Sequence, residues 1–103
     1  MGPQRRPVYS EMRLMRCVYI PDIAEQDYAA FRDILDDHMP VSFREWASLK
    51  ERLHRSSVAR GDDVVFVQVD PSQFARFLGA SGYGPEASSL IKFARDIATK
   101  RAA

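Results

Sequence analysis

The chain has one cysteine, two histidines and no apolar run near the ~20 residues that a membrane-spanning helix requires. One cysteine cannot close an internal disulfide, and Cys17 with two histidines falls short of a four-ligand structural zinc site. Neither sign of charge is in excess: fifteen Lys and Arg face fourteen Asp and Glu, a formal net charge of +1. That balance excludes a protein gripping nucleic acid or an acidic membrane through bulk charge. The basic start, Met1 to Pro7, has no apolar stretch behind it and is not a secretory signal. Gly2 is no myristoylation site, because Arg6 stands where that motif wants Ser or Thr. Residues 1–11 read as a flexible basic arm, with Met12 and Met15 as alternative starts. A free thiol and the lack of any address make a cytoplasmic setting the expectation.

What is present is ordinary for a globular chain: 103 residues, 46% hydrophobic and 28% charged. Such a length holds one domain with one modest core, here assigned to residues 12–103.

Helix starts organise the chain. Asp22-Ile23-Ala24-Glu25 and Ser42-Phe43-Arg44-Glu45 both read as capping boxes, an acceptor followed three residues later by an acid. Asp70-Pro71-Ser72-Gln73 adds proline at the first helical position, where its missing N–H is not needed. Val41 with Trp46, and Val69 with Phe74, have the spacing of hydrophobic staples. Periodicity predicts a first helix over 23–39, burying Ala24, Tyr28, Phe31, Leu35 and Met39. A second is expected over 43–60, burying Phe43, Trp46, Leu49 and Leu53 and stopped by Gly61. A third spans 71–78 and stops at Gly79. Pro85 opens a fourth, which buries Leu90, Ala94 and Ile97 and shows Lys92, Arg95 and Lys100.

The β-branched run 64–69 predicts a strand buried on both faces, and 14–20 an earlier one, with a possible start nearer Val8. The order β-α-α-β-α-α makes the fold α/β, with α+β as the alternative. Its sheet would be small, two- or three-stranded, and packed by four helices. Strands joined through two helices are most simply parallel neighbours, and two strands alone make a marginal sheet. A third strand from the Val8 region or another chain is therefore expected, which points to a homodimer or a partner-completed module.

Charge is segregated: residues 21–40 sum to −5 and residues 41–60 to +3. Opposed helices of this kind pair favourably, but they also make a polarised surface for a partner. Candidate binding residues are Arg44, Arg52 and Arg55 on the second helix, Tyr83 in the glycine loop, and Lys92 and Arg95 on the fourth. The arginines, with Ser48 beside them, have the spacing to hold phosphate, although Glu51 stands among them.

Two stretches are similar to DNA-binding elements. Phe74-Ala75, Gly79, Ala80 and Ser81 resemble the first helix and turn of helix-turn-helix proteins. They depart from that pattern where Gly82, Gly84 and Pro85 lengthen the turn. The strand 64–69, a helix, Gly84 and Ser89-Leu90-Ile91 resemble the order in ribbon-helix-helix repressors, which bind DNA as dimers through paired strands. The resemblance implies Val64, Phe66 and Gln68 facing DNA, with Gln68 the residue able to read a base edge. On this alternative, Arg52, Arg55, Lys92 and Arg95 would contact phosphate.

An enzyme is the least expected class. In a parallel sheet, Asp22 and Asp70 would approach beyond the strand ends with Ser72 alongside, a pattern for acid–base or metal work. Capping would already occupy those oxygens. Cys17 among apolar neighbours reads as a buried small hydrophobe, and His38 as a helix-end residue favoured by the dipole. His54 lies at the edge of the second helix's buried side. Gly79, Gly82 and Gly84 follow a helix rather than a strand, which is not the order of a phosphate-binding loop. No cofactor, metal ligand, catalytic residue or membrane contact is expected. The expected function is a small binding module, regulatory or adaptor in kind, with a protein partner or a second copy of itself.

Overall fold

The computed structural model describes residues 16–35 and 39–102. The Val8 region, His38 and the basic arm lie outside them. The order is β1 (Cys17–Asp22), a 3-10 turn (Glu25–Asp27), α1 (Tyr28–Leu35), α2 (Phe43–Ala59), β2 (Asp63–Gln68), α3 (Pro71–Ser81) and α4 (Ala87–Ala102). This is the α/β order read from the sequence. The two strands are parallel neighbours, with Val18 opposite Val64 and Asp22 opposite Gln68.

Two of the three helix starts form as their residues dictate. Ser42 Oγ accepts the Glu45 N–H at 3.1 Å, and the Glu45 carboxylate accepts the Ser42 N–H at 3.3 Å, closing the capping box. Asp70 accepts the Gln73 N–H at 2.9 Å, with Pro71 in the first turn of α3. The third start is different. Asp22 is the last residue of β1, and its carboxylate accepts a 2.7 Å bond from Lys50 Nζ instead of capping a helix. The chain then crosses Ile23, which is buried, and turns through Glu25–Asp27 before α1 begins. A strand residue needed for the ladder cannot also adopt the N-cap position.

Other boundaries shift for similar reasons. Gly79 lies within α3, which runs on to a left-handed cap at Gly82 with φ of 79°. Helix α4 starts at Ala87, two residues beyond Pro85. Gly61, at φ of 88°, ends α2 as expected. Val41 is 75% exposed, so it staples nothing on Trp46, while Val69 and Phe74 are both buried in one core.

That core runs from buried Val67 of β2, with Tyr19 of β1 packed on it, past the carboxyl ends of the strands to α1, α3 and α4. Phe31 meets Phe74 at 5.8 Å between ring centroids, Phe74 meets Phe93 at 5.5 Å, and Phe93 meets Phe77 at 5.1 Å. Tyr28, Phe43 and Trp46 continue the cluster, with the Tyr28 hydroxyl donating to the Pro40 carbonyl at 2.7 Å. Each such pair adds a fraction of a kcal/mol to about 1.5 kcal/mol beyond area burial.

The sheet is covered unevenly: Ile20 of β1 and Val67 of β2 are buried. Val65 and Phe66 of β2 are exposed, against the expectation of a strand buried on both faces. A doubly covered strand needs neighbours on each side as well as helices above and below, and among the described residues β2 has one neighbour. At the other end of the strands, buried Asp62 accepts two bonds from the Arg60 guanidinium, at 3.1 and 3.2 Å, and lies 3.6 Å from Arg16. Arg60 also donates to buried Ser57 at 3.3 Å, so this knot ties the end of α2 to the starts of both strands.

Candidate functional site

The functional candidate is built on β1. Asp63 N–H donates to the Arg16 carbonyl and Val69 N–H to the Asp22 carbonyl. In a parallel ladder the N–H and C=O of one residue point to the same side, and successive residues alternate. With this register, Val18, Ile20 and Asp22 therefore spend their backbone groups on β2. Cys17 and Tyr19 point theirs to the opposite edge, as does the Pro21 carbonyl, and no other described residue pairs with that edge. Proline has no N–H, so donors on this edge end at Tyr19.

Helices wall the edge on both faces. Side chains alternate along a strand, and Lys50 and His54 of α2 reach Asp22 and Phe66 on one face. Helix α4 covers the other face, where Arg95 lies near the Tyr19 phenol. Between the walls runs an open depression of 690 Å³, lined by Arg16, Cys17, Val18, Tyr19 and Leu53 and, from α4, by Ile91, Lys92, Arg95 and Thr99. Leu53 and Ile91 also line a second, more apolar depression of 200 Å³ that continues toward Pro21, Met39, Trp46 and Leu90. The result is one trench with a basic half beside Cys17 and an apolar half beside Pro21.

Sequence reasoning misplaced the residues that matter most here. Leu49 and Leu53 were expected to be buried, yet they are 46% and 40% exposed, and Ile91 is 47% exposed. The face of α2 that periodicity assigns to a core meets the rim of a two-stranded sheet, which is too narrow to cover it. Cys17 is exposed rather than a buried hydrophobe, because it stands on the bare edge. Its hydrogen bond to Tyr19, its charge interaction with that group and burial raise the Tyr19 phenol above its usual pKa, against an opposing pull from Arg95.

Of the candidate binding residues, the fold gathers Tyr83, Lys92 and Arg95. The Lys92 ammonium sits 4.3 Å from the centroid of the Tyr83 ring, and all three line a shallow depression of 380 Å³ next to the trench. Arg16 joins Lys92 and Arg95 in the trench, a third cation that only the tertiary structure brings in. Arg44, Arg52 and Arg55 are exposed on α2 and line none of these three depressions. Arg55 lies 3.6 Å from Glu51 in a surface pair.

Asp22 and Asp70 each have partners of their own. Asp22 is held by Lys50, and Asp70 accepts bonds from Ser72 Oγ at 2.6 Å and from the Gln73 N–H. Those two donors hold the Asp70 carboxyl below its usual range. Among the described residues, no group of three or more His, Cys, Asp or Glu is placed to hold a metal ion, and no helix is long and apolar enough to cross a membrane. Strand β2 pairs in parallel with β1 of its own chain, an arrangement unlike the strand ribbon of a ribbon-helix-helix dimer. Compared with known proteins, the chain matches no family model, no curated protein and no solved structure.

Proposed function

We propose that the chain is a protein-binding module that captures its partner by adding an extended segment to the free edge of β1. The observation carrying this reading is a coincidence in one trench. Backbone groups of Cys17 and Tyr19 that pair with no other described residue lie between exposed Leu53 on one wall and exposed Ile91 on the other. Edge strands offer backbone hydrogen bonds for affinity, and flanking side chains give specificity. A two-stranded sheet gains most from a third strand, because its present neighbours leave it half satisfied.

The test is capture from a lysate of the source cells, with and without nuclease, by the natural chain and by C17P. Cys17→Pro removes one edge donor and spares the β2 ladder, since the Cys17 N–H points away from β2; proline is tolerated at the first residue of an edge strand. Nuclease-resistant capture that C17P loses and C17A keeps is the expected result. Capture abolished by nuclease, or undiminished in C17P, overturns the reading.

A further inference from the structure

The charge on the trench walls selects the kind of strand it takes. Among the described residues, its basic half is lined by three cations, Arg16, Lys92 and Arg95, and by no carboxylate. Asp96, on the same helix, faces the neighbouring depression and is paired with Lys100 at 3.1 Å. Arg16 lies 3.6 Å from Asp62, but its own side chain remains 65% exposed, so most of its donors face water. The apolar half holds one cation, Lys50, already bound to Asp22 at 2.7 Å and lying 4.9 Å from the Trp46 ring centroid.

We infer that the β1 edge binds an extended acidic peptide segment of a partner protein. Its carboxylates lie over Lys92, Arg95 and Arg16, and its apolar end lies over Leu49, Leu53, Ile91 and Trp46. This rests on the edge-binding reading above and adds the chemistry of the ligand. Opposite charge steers such a segment to the basic half and fixes its direction along the strand, while the apolar half adds buried area. Pro21 confines full backbone pairing to Cys17 and Tyr19, so the segment is short and side-chain contacts carry the selectivity.

The same charges count against other occupants. A second copy pairing through β1 about a two-fold axis would bring a second set of Arg16, Lys92 and Arg95 into the same trench, and like charges brought together without counter-charge are penalised. Residues 1–15 of this chain carry Arg5, Arg6 and Arg13 against Glu11 alone, the wrong sign for the site. A nucleic-acid strand matches the cations, but it would lay phosphates against the outward carbonyls of Cys17, Tyr19 and Pro21, acceptor against acceptor.

The experiment is a fluorescence-anisotropy titration of the full chain with three labelled probes. Two are decapeptides sharing one β-branched apolar half, the first ending in three glutamates and the second in three lysines; the third is a single-stranded DNA 20-mer. The glutamate peptide is expected to bind at least about tenfold more tightly than the lysine peptide, the preference weakening as salt rises. K92E/R95E is expected to invert that order, and N-methylation of alternate peptide amides to abolish binding. Equal binding of the two peptides, preference for DNA, or a dimer by light scattering at micromolar concentration overturns the inference. If the charge preference is absent but C17P still loses its nuclease-resistant partner, the acidic assignment fails and the edge reading stands. If the glutamate peptide binds C17P as well as the natural chain, the edge reading itself fails.

Discussion

The carboxyl end of the sheet and its flank are built on opposite terms. Beyond the carboxyl ends of the strands, Phe31, Phe74 and Leu35 are wholly buried, with the rings of Phe31 and Phe74 in contact. Along the strands, large apolar side chains of the same kinds, Leu53, Ile91 and Phe66, stand in contact with water. Both regions draw on residues with core-like spacing. What separates them is the number of elements available to cover them. Three helices converge on the first region, whereas two strands and two helices leave the second with an open side. The stability of the domain is therefore concentrated in one place, and the surface free for recognition lies in the other.

That contrast is broken most directly at Phe74. Phe74→Ala is expected to cost about 3–5 kcal/mol, read from urea unfolding, because the ring contacts Phe31 and Phe93 and the cavity cannot collapse. A loss below about 1 kcal/mol would mean that the aromatic cluster does not carry the fold. Asp62→Ala comes next, at about 1–2 kcal/mol, since it removes the buried carboxylate that accepts both Arg60 bonds and faces Arg16. The value is held down by the exposure of the two arginines, and raising salt should shrink it. Ser42→Ala should cost about 1 kcal/mol by opening the capping box of α2, with Ser42→Gly costing less.

At the trench the ordering reverses. Leu53→Ser should cost no more than about 1.5 kcal/mol, for partial burial and helix propensity, while it weakens binding of the glutamate peptide. A stability loss like that of Phe74→Ala would place Leu53 in the core after all. The smallest effect is expected at Asp70. Its folded-state carboxyl is held low by Ser72 and the Gln73 N–H. It therefore adds stability that is fully present above the ordinary aspartate range and lost as pH falls through the lowered value. Thermal melts of Asp70→Asn should show a weaker decline on acidification than the natural chain.

The legibility of the sequence follows the same division. The Ser42 and Asp70 starts were readable because capping is settled within four residues, whatever surrounds them. Asp22 carried the same local signal and was misread, because its backbone is held in β1 and Lys50, twenty-eight residues away, takes its carboxylate. Lys92, Arg95 and Tyr83 could be named as surface residues from periodicity and loop chemistry. Nothing local placed Arg16 beside them, and nothing local exposed Leu49 and Leu53. A hydrophobic stripe says that a helix face is apolar, not that a neighbour is wide enough to bury it.

By itself, then, the sequence determined the β-α-α-β-α-α order, the caps of α2 and α3, the stop at Gly61 and the parallel pairing implied by long crossovers. Each depends on short-range chemistry or on chain connectivity. The tertiary structure alone decided where the core lies and which apolar residues remain outside it. It also decided which backbone groups of β1 stay unpaired and which three cations gather beside them. These depend on how many elements meet at a place, a property of the packed chain that no window of residues contains.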